Sequence, residues 1–215
     1  MSKTEEDREM AEGYDGAARA IGWEGPSRVF GHMERFLRQG QTLIDIGIGT
    51  GLGSEPFFKA GLHIVGMDLS DTMLGVSRKK GFAARLVRHD LTVVPYPFGD
   101  GSFDHAISTG VFQFFPDLDR VFQEVARIVR EGGRFAFVTG DRSPEEPSEI
   151  IAGPEQTGMD ESVTMYLHTP DQITRWLESA GFLLEESEEF MIWIEETRSK
   201  RFPARVYLAR KCSTR

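Results

Sequence analysis

The segment LIDIGIGTGLG, Leu43 to Gly53, places glycines at positions 47, 49, 51 and 53 directly after an apolar run. Without a Cβ the chain can turn sharply there and let a ligand approach its backbone N–H groups. A helix starting just beyond such a turn favours negative charge at its N-terminus, whether phosphate or carboxylate. The dinucleotide spacing GxGxxG is not met, because from Gly47 the last position is Leu52 and from Gly49 it is Ser54. Asp68 lies about twenty residues past the first glycine, where a carboxylate can accept hydrogen bonds from both ribose hydroxyls of an adenosine. It would repel a 2′-phosphate, which disfavours NADP.

Asp45 narrows the ligand further. It is flanked by Leu43, Ile44 and Ile46, and a buried carboxylate without partners is costly. A carboxylate just before the glycine turn suits a ligand that carries positive charge, and a pyrophosphate gains nothing from it. S-adenosylmethionine carries an ammonium and a sulfonium, and offers a carboxylate to the helix end.

These residues need a scaffold that brings strand ends together. Two amphipathic helices are expected first, over Thr4 to Ile21 and Ser27 to Arg38, separated by the turn at Gly25-Pro26. Then strands and helices alternate. QTLIDIG is a strand and SEPFFKAG a helix, LHIVGMDLS a strand and DTMLGVSRKKG a helix capped by Ser70 or Asp71 and closed by Gly81. FAARLVRHD and FDHAISTG are strands, DLDRVFQEVARIVREGG is a strongly periodic helix, and RFAFVTG is a fifth strand. This alternation predicts an α/β, doubly wound, Rossmann-like sheet of seven mostly parallel strands, with helices on both faces. In such sheets ligands sit beyond the carboxyl ends of the strands. Asp141 to His168 holds several prolines, glycines and acids and shows no clear element, so it reads as a candidate substrate lid. TPDQITRWLESAGF gives a helix capped by Thr169, and LLEESEEFMIWIEE with ARVYLARK gives an antiparallel C-terminal hairpin. We expect one domain over 1–215: a helical lid at 1–40, a cofactor-binding core at 41–140, the candidate lid at 141–168, and a C-terminal helix and hairpin at 169–215.

Composition limits the partners. The chain has 215 residues and a net charge of −9, whereas a nucleic-acid binder needs a basic face. The acidic runs PEEPSE and EESEE would repel phosphates, and Arg198 to Arg205 reads as a solvated charged tail. No apolar run reaches membrane-spanning length, and the polar N-terminus does not resemble a signal peptide. Cys212 is the only cysteine, so neither an internal disulfide nor a cysteine metal cluster can form. The expectation is a cytoplasmic protein, monomer or homodimer, that binds no nucleic acid, membrane or metal and takes a small-molecule acceptor.

LIDIGIGTG, VGMDLSDTML, RHDLTVVPYPFGDGSFD, FDHAISTGVFQFF and VREGGRFAF, in this order, resemble the motifs of class I S-adenosylmethionine-dependent methyltransferases. The likeness is to the small-molecule group that includes ubiquinone and menaquinone methyltransferases, and is strong over residues 40–140. It implies Asp45 near the methionine amino group and Gly47, Ile48, Gly49 and Gly51 on the turn. It further implies Asp68 on the ribose, Leu69 and Met73 against the adenine, Asp90 on the adenine amino group, and the Leu91 backbone beside the ring. Ser108 to Gly110 would flank the methionine part, and Tyr14 with Asp15 resembles a segment that folds over the cofactor, which Trp23 could join. Ile48 stands where the family often has a smaller residue.

Methyl transfer is an in-line displacement that depends mainly on positioning, so no catalytic residue need be recognisable. The weak candidate for a base is His168, read as a loop residue near the mouth. His105 reads as structural, His89 faces the adenine side, and His32 and His63 lack supporting context. Phe112, Phe114 and Phe115 follow strand four, and Phe112 and Phe115 are the candidates to line an acceptor pocket, with packing beneath the next helix as the competing role. The loop STGVFQFF lacks the Pro-Pro motif of amino-methylating DNA enzymes, the cysteine of cytosine-C5 enzymes, the glutamate pair of arginine enzymes and the metal-binding Asp of catechol enzymes. A small organic acceptor is left. Two other readings stay open: a non-catalytic S-adenosylmethionine-binding regulator and an NAD-dependent oxidoreductase.

Overall fold

The computed structural model describes residues 3–153, 162–193 and 201–213. In chain order the elements are α1 (Lys3–Ala20), α2 (Gly25–Met33), β1 (Thr42–Ile46), α3 (Glu55–Lys59), β2 (His63–Asp68), α4 (Asp71–Lys80), β3 (Ala83–Arg88) and β4 (Phe103–Ser108). There follow α5 (Asp119–Ile128), β5 (Val129–Asp141), β6 (Glu149–Ala152), β7 (Val163–His168), α6 (Pro170–Ser179), β8 (Phe182–Trp193) and β9 (Arg201–Lys211). The local signals act as their chemistry dictates. Ser70 caps α4 by accepting from Met73 N, Gly81 closes it at φ 73°, and Thr169 with Gln172 forms a reciprocal capping box on α6.

Strands β3, β2, β1, β4 and β5 lie side by side and parallel. β9 then pairs antiparallel with β5, and β8 antiparallel with β9. These seven strands form the expected sheet, with β9 the reversed member. The strand order turns back between β1 and β4, which opens a crevice above their carboxyl ends. One core holds Phe112, Phe122, Phe135 and Phe137 beneath α5 and α6. The other holds Val29, Met33, Phe57 and Leu74 beneath α2, α3 and α4.

Three expectations change. The segment 141–168 is not without structure: β6 and β7 form an antiparallel hairpin joined to the end of β5, which raises the strand count to nine. EIIA and VTMYLH carry enough β-branched and aromatic residues to pair, a signal outweighed in the sequence by the surrounding prolines and acids. Residues 154–161 of this candidate lid lie outside the described residues. Helix α5 stops at Ile128 instead of running to the glycines, because Val129 turns extended and pairs with Phe103. The acids of β8 are held in ion pairs. Glu186 and Glu188 meet Arg28, His32 and Arg35, while Glu185 bonds Arg134 and Arg210. Arg205, expected in a solvated tail, is three-quarters or more enclosed and pairs with Asp141; residues 198–200 lie outside the described residues.

Candidate cofactor site

The turn after β1 is built from backbone that only glycine tolerates well. Gly47, Gly49 and Gly51 have φ of 76°, 52° and 88°. Their surroundings differ. A Cβ on Gly47 would sit 2.9 Å from Val111, and one on Gly51 would collide with the Phe82 ring. A Cβ on Gly49 would meet nothing within 4 Å. Gly47 and Gly51 are therefore glycines because of the protein around them, whereas Gly49 faces open space at the crevice. Ile48 is buried and closes over Gly66 of β2, where any Cβ would strike its side chain. The bulk that departs from the family pattern at position 48 is thus accommodated by a glycine in the neighbouring strand.

Two carboxylates stand on either side of this turn. Asp45 is only 1% exposed. Its Oδ2 accepts a 2.6 Å bond from Ser54 Oγ, and its Oδ1 has no partner among the described residues. Burial, only partly offset by Ser54, and the charge of Asp68 push its pKa up to about 7. Asp68 Oδ2 accepts from Gly49 N at 2.8 Å and Oδ1 accepts from Ser70 N at 2.9 Å. It links the glycine turn to the start of α4 while keeping one lone pair on each oxygen. Ser54 was not anticipated, although its place at the head of α3, nine residues past Asp45, was visible in the sequence.

Helix α1 covers the turn. Thr50 Oγ1 donates to Asp15 Oδ1 at 2.5 Å, Lys80 pairs with the same carboxylate, and Lys79 pairs with Glu12. A Cβ on Gly110 would lie 3.9 Å from the Tyr14 hydroxyl and 3.8 Å from Trp23 Cζ2. Both aromatic residues therefore close on the loop after β4. Desolvation of the Tyr14 phenol, then the charges of Asp15 and Asp68, raise its pKa, although 37% of the residue surface stays open; the hydroxyl end is the enclosed part.

At the other end of the crevice Leu69 is 57% exposed, an unusual setting for a large apolar side chain, and Met73 is half-buried. Asp90 Oδ1 accepts from both Thr92 N and Thr92 Oγ1 at 2.8 Å, which holds its carboxyl below the usual range. Leu91 belongs to the core, and its carbonyl accepts from the Tyr96 hydroxyl at 3.2 Å. His89 Nε2 donates to Val93 O at 2.9 Å, and the ring stacks edge-on against Tyr96.

Several candidates turn out to be structural. The Ser108 hydroxyl donates to Ile46 O at 2.8 Å and ties β4 to β1. Phe112 is fully buried between Phe122, Phe135 and Phe137, so the packing role replaces the expected pocket-lining one. Phe115 is half-buried against the same core. His168 is not a loop residue at the mouth: it ends β7, is 1% exposed, and its Nδ1 shares a 3.1 Å bond with Thr139 Oγ1. Burial lowers its pKa. His105 is enclosed between Gln41 Oε1 and Arg134 N, and desolvation brings its pKa down to about 4. Among the described residues no group of histidine, cysteine and acidic side chains could hold a metal, and no helix is long and apolar enough to cross a membrane.

Residues 44–137 match the methyltransferase domain family. Phosphoethanolamine N-methyltransferase 2 of Caenorhabditis elegans is 32% identical over 54% of the chain and 28% of its own length. Demethylmenaquinone methyltransferase of Thermobifida fusca is 27% identical over 66% of the chain and 65% of its own length. The chain thus spans less than two thirds of either relative. A crystal structure of an S-adenosylmethionine-dependent methyltransferase from Methanosarcina mazei superimposes with a TM-score of 0.72 at 17% identity, covering 85% of this chain and 98% of that one.

Proposed function

We propose that this chain, which carries a methyltransferase domain of the class I S-adenosylmethionine-dependent type, binds that cofactor between the glycine turn and α1 and transfers its methyl group to a small organic acceptor. The observation that carries the reading is the orphaned Oδ1 of Asp45, fully enclosed on the strand that runs into the glycine turn. A buried carboxylate oxygen of this kind calls for a donor, and a cationic one best. The cofactor's ammonium is such a donor, and its sulfonium supplies an activated methyl group.

The chain's own residues then act by binding and orienting. Asp68 offers the unused lone pairs of its two oxygens to the ribose hydroxyls. Asp90 presents Oδ2 to the adenine amino group, and the exposed Leu69 with Met73 covers a face of the ring. Tyr14 and Trp23, folded down with α1, exclude water beside Gly110. Fixing the methyl carbon and the acceptor atom in line can supply ~7–11 kcal/mol of the barrier. The names of the relatives, which act on phosphoethanolamine and demethylmenaquinone, support a small-molecule acceptor here.

Melting scans with S-adenosylmethionine, S-adenosylhomocysteine and NAD test the reading. Native-state binding at a hundredfold excess over Kd stabilises by about 2.7 kcal/mol. Shifts with the first two ligands and none with NAD are expected, and Asp68→Ala should remove most of them. A shift with NAD alone would overturn the assignment. Turnover on a panel of small acceptors separates an enzyme from a non-catalytic binder.

A further inference from the structure

Ser54 occupies the N-cap position of α3 without capping the helix. A serine hydroxyl there ordinarily accepts from a backbone N–H in the first turn of its own helix. No such bond forms, and Ser54 keeps helical angles of φ −83° and ψ −21°. Pro56, in that first turn, lacks one of the N–H groups a cap would serve. The hydroxyl instead donates across to β1, to Asp45 Oδ2 at 2.6 Å. Both residues are enclosed, Ser54 at 0% and Asp45 at 1% exposure.

This bond decides which oxygen of Asp45 is left over. Asp45 lies on the face of β1 that it shares with Leu43, the face that packs beneath α2, α3 and α4. Its neighbours in register are Gly66 of β2 and Ile107 of β4. Neither has a polar side chain, so the adjoining strands supply no side-chain donor at this level. The terminal torsion of an aspartate is soft and nearly twofold, so an unanchored carboxylate exchanges its two oxygens readily. Ser54 removes that freedom, engaging Oδ2 while Oδ1 has no partner among the described residues.

The surrounding charge selects what Oδ1 can receive. Among the described residues no basic side chain pairs with Asp45. Asp68, whose Oδ2 accepts from Gly49 N in the glycine turn, acts on it as a second negative charge. A buried carboxylate beside another carboxylate favours a cationic donor over a neutral one.

We propose that Ser54 is a positioning residue for the methyl donor, holding Asp45 by Oδ2 so that Oδ1 receives the ammonium of the donor's methionine end. This rests on the methyltransferase reading. Ser54 acts through Asp45 and not on the cofactor itself. The contacts assigned to adenosine, at Asp68 and Asp90, do not run through it, so its loss falls on recognition of the amino group alone.

Calorimetric titration of two ligands tests the role: S-adenosylhomocysteine, and its analogue with hydrogen in place of the amino group. The wild type should bind S-adenosylhomocysteine about tenfold or more tightly than the analogue, the size of one hydrogen bond to a charged group. Ser54→Ala should weaken S-adenosylhomocysteine about tenfold and leave the analogue unchanged. A merely structural serine would move both ligands together. Ser54→Cys keeps the volume with a weaker donor and should show the same selective loss in smaller measure, which serves if the alanine variant does not fold. Equal binding of the two ligands by the wild type, equal loss of both in the variants, or full retention of S-adenosylhomocysteine affinity in them overturns the proposal and leaves the methyltransferase reading in place. Failure of the wild type to bind S-adenosylhomocysteine would instead overturn that reading.

Discussion

Replacing Asp45 by Asn separates what this carboxylate costs the fold from what it gives the cofactor. In the unfolded chain Asp45 ionises near its ordinary value of 3.8, and in the folded protein near 7. The unfolded state therefore binds fewer protons over that interval, and stability falls as pH rises through it. The contribution is fully present below pH 3.8 and lost above the folded pKa of about 7. A shift of about three units corresponds to about 4 kcal/mol. Asn is the neutral analogue, and its oxygen can still accept from Ser54. Asp45→Asn should match the wild type at pH 4 and exceed it at pH 8 by up to about 4 kcal/mol in urea titrations without ligand. With S-adenosylhomocysteine the order should reverse, since the variant loses the anion that meets the ammonium. Comparing the two proteins at each pH cancels distant groups such as His105. Equal loss of stability at pH 4 and pH 8, or retention of ligand binding by the variant, would refute the reasoning.

Three other outcomes can be checked. His105 is depressed to about 4 in the fold, so its neutral form stabilises above pH 6.5 and the contribution is lost as pH falls from 6.5 to about 4; the wild type should lose roughly 3 kcal/mol across that window that His105→Gln does not, read from urea midpoints. Gly51→Ala must push Phe82 aside at positive φ and should destabilise strongly, whereas Gly49→Ala should cost only about 1–2 kcal/mol for its left-handed backbone yet impair ligand binding, as melting scans with S-adenosylhomocysteine would show. Phe112→Ala should destabilise by about 3–5 kcal/mol as a core truncation, with S-adenosylhomocysteine affinity per folded molecule unchanged.

The cofactor half of the site was readable because steric and electrostatic demands act on single residue types. Gly47 had to lack a Cβ and Asp45 had to find a partner, and both facts follow from a strand, a turn and a helix in sequence. The polar cluster at the end of β5 was not readable, because Tyr207 and His168 meet β5 only through strand register, which the sequence does not encode locally. Phe112 illustrates the converse: an aromatic residue after strand four reads equally as pocket or core until Phe122, Phe135 and Phe137 are seen around it. The β6–β7 hairpin was hidden for a different reason, since turn-forming residues outnumber the short paired stretches within it.

The clasp between α1 and the glycine turn bears on time rather than affinity. Asp15 is the meeting point of Thr50 from the turn and Lys80 from α4, and Lys79 with Glu12 adds a second, more exposed ion pair. If the cofactor binds beneath α1 as proposed, it leaves only as fast as this helix swings away. Its residence time is then governed by charges that dissolved salt screens, with a Debye length falling from about 10 Å at 0.1 M to about 3 Å at 1 M. Product release should accordingly quicken with ionic strength even where the contacts to adenosine are untouched, making the helix a salt-sensitive escapement on turnover.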